Sequence, residues 1–130
     1  MTNGNRGATL EERVTEVLRS IQMSSPDVIG TAVVDVQGFI IASAIPSGVD
    51  EEELGAMTAT MHGSGEQIAE QLMHSTVDQT YVKTEKGYVI LNAAGPDTVL
   101  VLLATKNVKL GLVFLMLKQH LPELRRIIGE

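Results

Sequence analysis

The run Val99-Leu100-Val101-Leu102-Leu103 is apolar on both alternating sides of an extended chain. A strand buries such a run only when both faces of its sheet are covered, which places it centrally in a layered fold. Gly95-Pro96-Asp97 separates it from another apolar run, Tyr88-Val89-Ile90-Leu91, and Glu85-Lys86-Gly87 separates that one from Thr76 to Thr84. The last stretch is mostly polar (Asp78, Gln79, Thr80, Lys83) and alternates weakly, the pattern of an edge strand. Connections this short make the pairing antiparallel.

The N-terminal half supplies two more strands and two helices. Residues 1–8 are polar and Gly-rich and read as a flexible leader. Thr9-Leu10-Glu11-Glu12 has the form of a capping box, and Leu10, Val14, Leu18 and Ile21 continue it as an apolar stripe at helical spacing. Ser24-Ser25-Pro26-Asp27 ends that helix. Val28 to Ala44 is β-rich and breaks at Val36-Gln37-Gly38, a hairpin whose turn uses the freedom of Gly38 to take positive φ. Asp50-Glu51-Glu52-Glu53 opens a second helix, where carboxylates complement the N-terminal dipole. In it Leu54, Met57, Met61, Ile68 and Leu72 form the expected core stripe, with Gly65 at the missing step. Ala56, Ala59 and Gly63 project near the opposite side, where a face without large side chains lets another backbone come close. The expectation is one continuous helix through Gly63-Ser64-Gly65, although each interior Gly costs about 1 kcal/mol relative to Ala. A last helix covers Val108 to Leu121, is kinked or restarted by Pro122, and carries Arg125 and Arg126 near its C-terminal end.

These elements define an α+β fold in the order α-β-β-α-β-β-β-α, a five-stranded antiparallel sheet with helices on both faces, spanning residues 9–130 as one domain. At 130 residues the chain has room for one such core. The longest apolar run, Leu110 to Leu117, is eight residues, against the roughly 18–20 needed to span a bilayer. No secretory h-region is visible, so a cytoplasmic protein without membrane insertion is expected.

Composition narrows the function classes. Sixteen acidic against ten basic residues give a net charge of −6, and only four aromatics are present, which disfavours nucleic-acid binding. The absence of Cys removes thiolate metal sites, disulfides and Cys nucleophiles. The charge is also localised. From Asp50 to Asp78 there are seven acids and no Lys or Arg, so this segment carries −7 and the remaining 101 residues sum to +1.

Within that segment His62, Glu66, Glu70 and His74 recur at steps of four. Neighbours on such a ladder can share an ion, but each step drifts about 40° and the two histidines end about 120° apart. The ladder therefore reads as a polar face with no metal site. Ser64 between Gly63 and Gly65 lacks the spacing of a nucleophile elbow, and neither a phosphate loop nor a dinucleotide fingerprint is present. No catalytic residue, cofactor or metal is expected, and an interaction protein is favoured over an enzyme.

The order of elements and three local patterns resemble the Roadblock (dynein light-chain) family, especially its stand-alone prokaryotic MglB-type members. The patterns are Gly30 to Ser43, with an Asp35-x-x-Gly38 turn between apolar strands; the long Ala- and Gly-containing helix from Glu53 to Leu72; and Asn107-Val108-Lys109-Leu110-Gly111 opening the last helix. The resemblance runs from about residue 10 to 125 and implies a Roadblock/profilin-like sandwich. It also implies a homodimer in which the central helices pack side by side and the third strands pair across a two-fold axis. Onto this chain that carries Ala56, Ala59, Gly63, Gln79, Tyr81 and Lys83 as interface residues, with Gly63→Leu expected to weaken the dimer. The implied partner is a small Ras-like GTPase, docked at the central helix with His62, Glu66, Glu70 and His74 as contacts. No arginine lies on that helix, so an arginine finger from it is excluded, and any effect on hydrolysis would come from reshaping the GTPase switch regions. The alternatives are a PAS- or profilin-like sensor holding a small ligand between helix and sheet, and a structural light-chain-like adaptor.

Overall fold

The structure, a computed structural model, describes residues 7–129. The expected leader lies outside the described residues except for Gly7 and Ala8. The element order is α1 (Leu10–Met23), β1 (Val28–Asp35), β2 (Ile40–Ala44), α2 (Glu51–Met73), β3 (Gln79–Lys83), β4 (Gly87–Gly95), β5 (Thr98–Thr105) and α3 (Leu110–Ile128). The strands form one antiparallel sheet in the order β2-β1-β5-β4-β3. This is the expected fold class, and β5 is its central strand.

The double-sided apolar run of β5 explains the layering. Leu100 and Leu102 point to one face, where they pack with Val33 of β1 and Ile90 of β4 under α1 and α3. Val99 and Val101 point to the other, with Ala32, Val34 and Leu91 under α2. All of these are at most 1% exposed.

Local chemistry sets the ends of the elements. Glu12 Nα donates to the Thr9 hydroxyl at 3.1 Å and Thr9 Nα donates to Glu12 Oε1 at 2.8 Å, the reciprocal capping box of α1. The Thr9 backbone N–H, and after it the Thr9 hydroxyl, hold the Glu12 carboxyl below the usual carboxylate range. In the β1–β2 turn Asp35 Oδ1 accepts from the amides of Gln37 and Phe39, and Gly38 takes φ +100°. Asp50 caps α2 by accepting from the Glu53 amide.

Three expectations change. The edge strand is shorter than Thr76–Thr84: its register with β4 runs from Gln79 to Lys83, and Asp78 and Thr84 add one backbone hydrogen bond each, to Ala93 and Gly87. Leu10, as the first residue of α1, remains 46% exposed, and Val17 takes its place in the core. Pro122 does not restart α3, which runs through it as one helix to Ile128 and buries Leu121, Leu124 and Ile127.

Candidate interaction surface

α2 is one helix of 23 residues, continuous through Gly63-Ser64-Gly65. It lies alone on its face of the sheet, and its orientation is the main departure from expectation. Of the anticipated core stripe only Leu54 is buried; Met57, Ile68 and Leu72 are 56%, 59% and 73% exposed, and Met61 is half-buried. The residues turned to the sheet are Leu54, Gly55, Thr58 and His62.

Gly55 accounts for this orientation. A Cβ there would collide with the carbonyl oxygen of Gly38, so α2 backbone rests directly on the β1–β2 turn. At Gly55 the close neighbour is the chain's own turn, a contact separate from the one expected of Ala56, Ala59 and Gly63. Further along, Gly65 faces Thr80 and Val77 at the β3 edge, and no α2 residue beyond it is buried. The C-terminal third of the helix thus leaves Ile68, Leu72 and Met73 uncovered.

Met57 and Met61 overlook a groove of about 510 Å³ between α2 and the sheet, floored by Val82, Val89, Leu91 and Leu103. Met57 and Met61 on this flank and Val82 of β3 border the same groove, and Ile68 and Leu72 stand exposed further along the helix. The other flank carries Glu66 and Glu70, both exposed.

The ladder residues do not converge. His62 is 7% exposed, turned inward, with Nε2 3.4 Å from Glu66 Oε1. His74 terminates α2 in the left-handed region at φ 52°, its amide donating to the Glu70 carbonyl. Glu66, Glu70 and His74 are the exposed members of the ladder, with Glu66 held against His62. Among the described residues no group of three His, Cys, Asp or Glu side chains could hold a metal ion.

Of the other anticipated contacts, Ala56 and Gly63 are exposed and Ala59 is half-buried; a Cβ on Gly63 would meet nothing within 4 Å. On β3, Tyr81 faces the α3 side, its ring centroid 6.3 Å from that of Tyr88 and 6.4 Å from that of Phe114. Gln79 Nε2 donates to Asn92 Oδ1 at 2.9 Å, and Lys83 is exposed. Alternation puts Gln79, Tyr81 and Lys83 on one face and Thr80 and Val82 on the face shared with α2. Thr80 and Val82 were missed because a weakly alternating edge strand does not reveal which face looks toward α2.

A Roadblock/LC7 domain matches residues 14–104, from the first helix to the end of the central strand. The chain belongs to the Roadblock/LC7 family. The uncharacterized protein MJ0310 of Methanocaldococcus jannaschii is 33% identical over 96 residues, covering 74% of this chain and 83% of MJ0310. Among solved structures, Myxococcus xanthus MglB superposes with a TM-score of 0.83 at 22% identity, over 89% of this chain and 94% of that one. An MglB with a tetrameric arrangement superposes with a TM-score of 0.81, also at 22% identity, over 92% and 90% of the two chains. At that identity the likeness to MglB establishes a shared fold. Within the Roadblock fold of this chain, one helix, α2, covers this face of the sheet, and two cover the other.

Proposed function

We propose that this Roadblock protein is a non-catalytic homodimeric platform that binds and regulates, or scaffolds, a small Ras-like GTPase through the outer surface of α2. The observation that carries the reading is the unpartnered strip beside β3: Met57, Met61, Ile68 and Leu72 on one flank of α2, with Val82 on an edge strand bordering the same groove as the two methionines. An isologous contact covers such a strip with its own copy and pairs the edge amides at the same time. In this arrangement the large side chains form the seam between the two α2 helices, with β3 pairing below. Ala56, Ala59 and Gly63 lie on the side of α2 opposite those large side chains, away from this seam. Glu66 and Glu70, doubled by the two-fold, flank the platform and favour a partner with a basic contact surface. His62 acts from inside the helix–sheet contact by holding Glu66.

The test is capture from a native lysate with the tagged full chain, with and without a non-hydrolysable GTP analogue, and identification of captured proteins by mass spectrometry. A GTPase whose recovery depends on the nucleotide supports regulation. Nucleotide-independent recovery of the GTPase supports scaffolding. Absence of any GTPase under both conditions refutes the platform. The groove of about 510 Å³ favours one second reading, a small apolar ligand held between helix and sheet. Soaking with apolar fragments and reading a melting shift abolished by Leu103→Arg would select it.

A further inference from the structure

On the opposite face of the sheet, α1 and α3 leave a second set of apolar side chains uncovered. Met23 is 87% exposed, Leu112 62% and Leu115 53%. Ser24, Ser25 and Asp27 share a depression with Lys109, Leu112 and Met116, so the end of α1, one residue after Met23, abuts the first turn of α3. Met23 follows the buried Ile21 by about 200° around the helix, which turns it away from the sheet. The cations there are Lys106, Lys109 and Lys118, all exposed; Asp27 lines the same depression, and Glu12, Glu16 and Arg19 share the outward side of α1 with Met23. From 106 to 126 the chain holds five basic residues and one acid, Glu123. That acid lies with Glu16, Arg13 and Arg126 at the far end of the helix pair.

We propose that this α1/α3 face docks on an anionic lipid bilayer, with Leu112, Leu115 and Met23 at the headgroup boundary and the three lysines among the headgroups. Charge selects the occupant: leucines set between cations match an anionic apolar boundary. Geometry, which here rests on the dimer reading, adds to it. Two β3 edges joined antiparallel require a two-fold axis normal to the sheet, and that axis puts both α1/α3 layers on the same side. A planar surface engages both patches at once. The acidic α2 helices then face away, two packed layers and roughly 20 Å distant, which exceeds the Debye length of about 10 Å at 0.1 M salt. No helix of the described residues is long and apolar enough to cross a membrane, so the contact is peripheral.

The experiment is co-sedimentation of the full chain with phosphatidylglycerol/phosphatidylcholine vesicles and with pure phosphatidylcholine vesicles. Binding to the anionic vesicles at about 50 mM salt, at least ten-fold weaker at about 500 mM and absent on the neutral ones, is the expected result. Lys109→Glu with Lys118→Glu should weaken it roughly thirty-fold or more, at about five-fold per lysine before counting the reversed charge. Leu112→Ser with Leu115→Ser should weaken it about ten-fold, with circular dichroism and melting unchanged because both side chains are exposed. No binding to anionic vesicles at low salt overturns the proposal, as does binding indifferent to both double variants. A lower mass of the Leu112→Ser, Leu115→Ser protein by light scattering without vesicles also overturns it, since the face would then be covered by another copy. The lysine and leucine dependence holds for a monomer as for a dimer, and GTPase capture is read without lipid. Failure here is therefore separable from failure of the platform reading.

Discussion

The position of α2 is tested most sharply by one substitution made at two of its glycines. Helix propensity alone predicts the same result for Gly55→Ala and Gly63→Ala, a gain of about 1 kcal/mol each. The structure gives them opposite signs. At Gly55 the new methyl collides with the Gly38 carbonyl oxygen and lies 3.5 Å from Ile40 Cγ1. Both sides of that collision are backbone, so helix and turn must separate, with the overpacking cost near the top of the usual range of about 1–3 kcal/mol. After the propensity gain, Gly55→Ala should destabilise by about 1–2 kcal/mol. At Gly63 the methyl meets nothing within 4 Å, so Gly63→Ala keeps the full gain of about 1 kcal/mol. The two variants should therefore differ by about 2–3 kcal/mol, and each kcal/mol corresponds to about 3–5 °C in a chain of this size. Urea unfolding followed by circular dichroism measures this, with protein concentration held fixed because dimerisation shifts apparent stability. A stabilising or neutral Gly55→Ala would refute the close contact between α2 and the β1–β2 turn. A destabilising Gly63→Ala would place a neighbour where the structure shows open space.

Three further outcomes follow from the same geometry. Ile68→Ser with Leu72→Ser should convert a dimer to monomers at micromolar concentration, since burying the exposed remainder of these side chains contributes roughly 2–4 kcal/mol per copy; an unchanged light-scattering mass would remove them from the seam. Glu66→Lys with Glu70→Lys should impair capture of the partner without unfolding the chain, and unchanged capture at low salt would end the assignment of acidic docking contacts. Thr9→Ala should cost about 1 kcal/mol through loss of the α1 cap. Because the Glu12 carboxyl is held low in the folded state, its contribution is complete above the unfolded value of about 4.3 and is lost as pH falls through the folded one. Urea midpoints of wild type and Glu12→Gln that stay equally far apart from pH 7 to pH 3 would contradict that linkage.

Most of the architecture was legible in the amino-acid order because the signals are local or periodic. The Thr9 and Asp50 caps, the Asp35–Gly38 turn and the two-faced apolarity of Val99 to Leu103 each specify a backbone state within a few residues. They also settle the order of elements, the antiparallel pairing and the presence of helices on both faces. The candidate surface was less legible. Large apolar residues at helical spacing are the ordinary sign of a core stripe, and on α2 that rule pointed to the wrong flank.

The charge map and the continuity of α2 likewise belong to the sequence: an acidic segment from Asp50 to Asp78, and small residues spaced along a single helix. Which of its faces meets the sheet belongs to the tertiary structure. Gly55 can touch only a backbone that comes close enough, and that backbone is Gly38, seventeen residues earlier, at a turn whose place is set by strand pairing. Periodicity records which side chains share a face of a helix. What lies against that face depends on contacts distant in the chain, and here they turn the glycine inward and leave Met57, Ile68 and Leu72 outside.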